Sequence, residues 1–165
     1  MPQQIEIDLA KEDMKFSSAH FCCYPGHRER LHGHNYRLAV RLCGTEMGDD
    51  GYLVDFGRVK SAAREICRGL DEYMLVPLRN PSHSVNAEAG GQVEVRCEDG
   101  SFFSFPATDC LLLPLAHITV EELARYIWEQ LATKIQFNAM GINWVEIRIT
   151  ETPGQSATFG NRPKL

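Results

Sequence analysis

The alternation of apolar and polar positions is cleanest over "NYRLAVRLCG". Tyr36, Leu38, Val40 and Leu42 fall on one face, and Arg37 and Arg41 fall on the other. A period of two predicts a half-buried strand, and the turn-rich "GTEMGDDG" that follows ends it. Residues 4–10, "QIEIDLA", alternate in the same way and predict a first strand. Residues 14–21 and 32–43 then read as an antiparallel pair with a loop between them. "QVEVRCEDGSFFSFP" predicts a hairpin, with Val93, Val95 and Cys97 on one face, a turn at Asp99-Gly100, and Phe103 and Phe105 returning. The final strand is "NWVEIRITETP". It sets Trp144, Glu146, Arg148 and Thr150 against Val145, Ile147, Ile149 and Glu151.

Two stretches change period. "DFGRVKSAAREICRGLDEYML" places Val59, Ala62, Ala63, Ile66 and Leu70 at helical spacing, with Asp55 as the cap. "TVEELARYIWEQLATKIQ" predicts a second helix. Thr119 is its N-cap, and Glu122 three residues later completes a capping-box pattern. The order of elements predicts an α+β fold: an antiparallel four-stranded sheet with two helices on one face, plus an inserted β-hairpin at about residues 90–110. "RNPSHSVNAEAGG" reads as a connector. No repeat or low-complexity segment interrupts the chain, so residues 1–165 read as one domain.

The net charge of −5 argues against a nucleic-acid or anionic-membrane partner. A small anionic substrate needs only a local basic cluster. No stretch approaches the ~20 apolar residues that cross a bilayer, and the first residues lack the pattern of a signal peptide. The six cysteines contain no C-x-x-C pair, and several lie in apolar runs. These features lead us to expect a cytoplasmic protein with reduced thiols.

Four of the six histidines fall between Phe16 and Val40. His32 and His34 are two apart at the start of a strand, so their side chains share a face at a separation of roughly 6.5–7 Å. His20 ends the preceding strand and joins them if the two segments pair. Three neutral imidazoles and one open position form the pattern of a catalytic zinc site. His27, between Tyr24 and the Arg28–Arg30 stretch, reads as solvated. Glu151 falls on the apolar face of the last strand, where a carboxylate needs a partner or a ligand.

The motifs "FSSAH", "LHGHNY", "GYLVDFGRVK", "LDEYML", "TVEELARYIW" and "ITETPG" together resemble the 6-pyruvoyltetrahydropterin synthase family, which includes the 6-carboxytetrahydropterin synthases. The resemblance covers roughly residues 14–159. It implies the tunnelling fold, with sheets assembling into an oligomeric barrel of three subunits, usually doubled to six. It also implies Zn2+ on His20, His32 and His34, a pterin substrate anchored by Glu151, and contact with the pterin from Thr119.

Two positions depart from the family pattern. Family synthases carry a basic cysteine shortly before "HGH", whereas this chain has Glu29, giving E-x-x-H-G-H. Cys22 and Cys23 read as too far along the chain to replace it. A glutamate branch of the family is associated with cleaving the side chain of dihydroneopterin triphosphate to 6-hydroxymethyl-dihydropterin. Most members also read Leu-Asp-His where this chain has Asp71 and Glu72, so the proton relay falls to two carboxylates. The resemblance therefore implies a zinc-dependent lyase acting on the C6 side chain of 7,8-dihydroneopterin triphosphate by cleavage. The alternatives are triphosphate elimination, as in a 6-pyruvoyl or 6-carboxy synthase, and a pterin-binding protein without catalysis. Arg28, Arg30 and Lys15 are the local candidates for holding phosphates.

Overall fold

The computed structural model describes residues 4–163. Strands β1 (Ile5–Leu9) and β2 (Lys15–His20) both pair antiparallel with the 13-residue β5 (His32–Gly44), one at each end of it. Between β2 and β5 in the chain lies a small ladder, β3 (Cys23–Tyr24) with β4 (His27–Arg28). Helix α1 (Phe56–Leu70) starts at Asp55, whose side chain accepts from the Gly57 amide as the sequence suggests. It stops earlier than its apolar pattern implies. Asp71 is extended and Glu72 adopts a left-handed φ of 62°.

The residues after that break form β6 (Tyr73–Pro77). β6 pairs parallel with both β2 and β10 (Cys110–Leu113). With β11 (Ile142–Thr152) and β12 (Gln155–Asn161), the main sheet of the described residues has seven strands and is mixed, in the order β10-β6-β2-β5-β11-β12 with β1 also on β5. This corrects the expected four-stranded antiparallel sheet. The reason lies in burial. Leu75 joins the main core beneath the helices, while Met74 and Val76 join a second cluster on the opposite face. A strand covered on both faces is apolar throughout, so "YMLVP" shows no alternation.

The second cluster is covered by β7 (His83–Ala89), β8 (Gln92–Cys97) and β9 (Phe102–Pro106), a three-stranded antiparallel sheet. The expected hairpin is present as β8–β9. The supposed connector before it contributes β7, which pairs His83 with Cys97 and Val85 with Val95. Helix α2 (Val120–Lys134) begins at Thr119, whose hydroxyl accepts from the Glu122 amide at 3.3 Å. Strands β11 (Ile142–Thr152) and β12 (Gln155–Asn161) close the other side of the sheet. Both helices bury their apolar stripes in one core with Phe16, Leu38, Val40, Ile147 and Ile149. The architecture is α+β, two helices on a curled mixed sheet. Among the described residues, no helix is long and apolar enough to cross a membrane.

Candidate functional site

The register of β2 on β5 decides the site. His20 stands opposite His32, and Ser18 stands opposite His34. The pairing brings three imidazoles together: ring centroids lie 4.5 Å apart for His20–His32, 5.4 Å for His20–His34 and 4.9 Å for His32–His34. Each ring offers a nitrogen, and these nitrogens all lie within 4.8 Å of one another. Gly33 permits the close approach, because a Cβ there would meet the Ser18 carbonyl oxygen at 3.0 Å.

The three rings are prepared differently. His32 Nδ1 is 2.7 Å from the Arg30 carbonyl oxygen. A carbonyl only accepts, so Nδ1 carries the proton and Nε2 keeps a free lone pair. His34 Nε2 lies 3.7 Å from Glu151 Oε2. His20 is 4% exposed, and neither of its ring nitrogens has a hydrogen-bond partner among the described residues. Burial, then the neighbouring His32 and His34, lower its pKa from 6.5 to about 4. A neutral imidazole with two orphaned buried nitrogens is costly unless something binds it. A metal ion held by His20, His32 and His34 fits that need.

The small β3–β4 ladder delivers the next group. Pro25-Gly26 forms its two-residue turn, which sets Cys23 against Arg28 and thereby Cys22 beside Glu29. The Glu29 amide donates to the Cys22 carbonyl at 2.9 Å, and the Cys22 amide donates to Glu29 Oε2 at 3.1 Å. His20, Cys22 and Glu29 form a second potential ligand group that shares His20 with the first. The expectation that Cys22 lies too far away is therefore corrected. Its thiol is buried, and burial followed by the Glu29 carboxylate pushes its pKa up to about 12. It stays a protonated thiol beside the Glu29 carboxylate. The "YPGH" turn carried the signal for this pairing.

Glu151 approaches the same cluster from β11, at a register shift between Thr150 and Thr152. Beneath the rings lies Tyr36, which sequence reading takes only as a core residue. Its hydroxyl is buried without a partner among the described residues. Burial, then Glu151, Cys22 and Glu29, raise its pKa above the ordinary tyrosine value. Asp71 and Glu72 sit elsewhere. Asp71 Oδ1 accepts from the Ser17 amide at 2.7 Å, and the Glu72 amide donates to the Ser17 carbonyl at 2.7 Å. Both residues are exposed at the β2–β6 junction, and no hydrogen bond or ion pair joins them to the three histidines. Thr119 is occupied as the cap of α2. Arg28, expected at a phosphate, is instead tied to Asp99, 2.9 Å away.

A family model described as 6-pyruvoyl tetrahydropterin synthase matches residues 9–162. The chain is 31% identical, over 94% of both chains, to a putative 6-carboxy-5,6,7,8-tetrahydropterin synthase of Methanocaldococcus jannaschii. The fold superposes on 6-pyruvoyltetrahydropterin synthase from Plasmodium vivax with a TM-score of 0.93 and 34% identity, covering 97% of this chain and 99% of that one. A glutamate-to-alanine catalytic residue mutant of the Plasmodium vivax protein also matches with a TM-score of 0.93, at 33% identity and the same coverage. Fold, histidine centre and sequence define one class, and the chain belongs to the 6-pyruvoyl tetrahydropterin synthase family. It is a lyase of pterin metabolism of that type.

Proposed function

We propose that the protein acts on the C6 side chain of 7,8-dihydroneopterin triphosphate by eliminating triphosphate, in the manner of a 6-pyruvoyl- or 6-carboxy-tetrahydropterin synthase. The names of its relatives support elimination over cleavage to 6-hydroxymethyl-dihydropterin. The observation that carries the reading is the likeness, over nearly the whole chain, to relatives named as synthases, with Glu29 held by Cys22 at the edge of the histidine cluster. A glutamate is a catalytic residue in the Plasmodium vivax synthase, which supports Glu29 as the base in the glutamate-for-cysteine branch.

The roles follow from the residues present. His20, His32 and His34 would hold Zn2+, which when bound polarises a substrate oxygen at its open position. Glu29 takes the proton released from the side chain of the substrate. Glu151 accepts from the 2-amino and N3 groups of the ring, and Thr119 lies at the ring's edge. Asp71 and Glu72 would act on the site of a neighbouring copy, across an interface between copies of the chain. The exposed edges of β10 and β12 are suited to the three-subunit barrel, or its doubled form, that would bring them there.

Cleavage to 6-hydroxymethyl-dihydropterin is the second reading. It is favoured by the same Glu29, because a carboxylate is better matched to a hydroxyl proton than to a weak carbon acid. Incubation of the zinc-loaded protein with dihydroneopterin triphosphate tests both. Elimination releases tripolyphosphate; a 6-pyruvoyl product keeps the three-carbon chain, whereas a 6-carboxy product keeps one carbon and releases the other two as a C2 aldehyde, and Glu29→Gln lowers the rate by about a hundredfold or more. Free 6-hydroxymethyl-dihydropterin would replace the first reading with the second. Binding without turnover would remove both.

A further inference from the structure

The inserted β7–β8–β9 sheet packs on β6 away from the histidines, yet its β8–β9 turn is bonded to the segment that carries Glu29. We propose that the Arg28–Asp99 pair is a positioning device that sets the Glu29 carboxylate beside the histidines, through which the inserted sheet serves the site. The inference rests on the reading of Glu29 as the base.

One guanidinium joins the two elements. Arg28 Nη1 donates to the Glu29 carbonyl oxygen at 2.8 Å. Its Nε donates to Asp99 Oδ2 at 2.9 Å and to Ser101 Oγ at 3.1 Å. The guanidinium also lies over the Phe103 ring, 5.4 Å from its centroid. Asp99 is fixed in turn, because its Oδ1 accepts from the Ser101 amide at 2.9 Å. That amide, followed by Arg28, holds the Asp99 carboxyl down at about 2. The carboxylate is thus ionised at every working pH.

Glu29 sits just past β4, outside the ladder, and is otherwise held by Cys22, through two amide hydrogen bonds and the thiol beside its carboxylate. Without Arg28, its carbonyl loses the bond that links it to Asp99. Two apolar contacts pin the same elements together. Phe21 stacks on Phe103 at 4.6 Å between centroids, and the Cys23 and Cys97 sulfurs are 3.6 Å apart. An exposed ion pair contributes little to stability, and the Asp99 side chain is 44% exposed. The consequence of the pair is therefore geometric. Separate nitrogens of one planar fork reach Glu29 and Asp99, a geometry that the single nitrogen of a lysine does not reproduce at position 28.

Asp99→Asn keeps an oxygen for the Ser101 amide and removes the charge facing Arg28. Arg28→Lys keeps the charge and loses the fork. Each variant is expected to lower kcat about tenfold or more, with KM, zinc stoichiometry and Tm unchanged. Amide exchange at Cys22 and Glu29 should quicken in both. In a Glu29→Gln background, Asp99→Asn should cost nothing further, because the two act as a unit. Wild-type kcat in both single variants, or an equal loss added in the Glu29→Gln background, would overturn the proposal. If Glu29→Gln alone turns over normally, the base assignment fails. The exchange rates still judge the positioning, and unchanged rates at Cys22 and Glu29 would then reject it.

Discussion

His20 is the buried imidazole of the site. Its neutral form is enforced by burial and by two neighbouring imidazoles, which lower its pKa to about 4. The sign of the pH effect on the metal-free protein follows. The unfolded chain protonates this group near 6.5, before the folded chain does, so stability is greatest above that pH. It declines as pH falls from 6.5 to about 4, by about 3 kcal/mol from this group, and levels off below. Urea unfolding of chelated protein at pH 7.5 and 4.5 checks this, and a pH-independent midpoint would contradict it. His32 and His34 were legible as candidate ligands from their spacing taken with His20 upstream. The orphaned hydroxyl of Tyr36 was not, because an alternating aromatic on an apolar face gives no sign of lacking a partner.

Among the elements, β5 and α2 were plain in the sequence for physical reasons. One strand face is buried and the other is not, and Thr119 supplies an oxygen where a helix has free amides. β6 and β7 were hidden. β6 is covered on both faces, and β7 runs through polar residues that lean on β8 rather than on the core. The end of α1 was misplaced because "LDEYML" continues its apolar spacing, whereas Glu72 leaves the helix in a left-handed conformation. A side chain there costs about 1 kcal/mol relative to glycine. Strain of this kind often accompanies function. Glu72→Gly is therefore expected to raise stability by about 1 kcal/mol in denaturant titration and to lower turnover. Unchanged turnover would remove Glu72 from the proposed relay.

At the scale of the whole molecule, the fold keeps two cores apart with a strand shared between them. One core, under the helices, holds the sheet that aligns the histidines. The other ties the inserted sheet to the segment bearing Glu29. The histidine centre was readable because its three imidazoles come from segments close in sequence. The junction with Asp99 was not, since that residue is 71 positions from Arg28 and the link exists only after folding. The most direct measurement is calorimetric titration of chelated protein with Zn2+. The account predicts one tightly bound ion per chain, lost in His32→Ala. Absence of binding, or wild-type binding by His32→Ala, would contradict it.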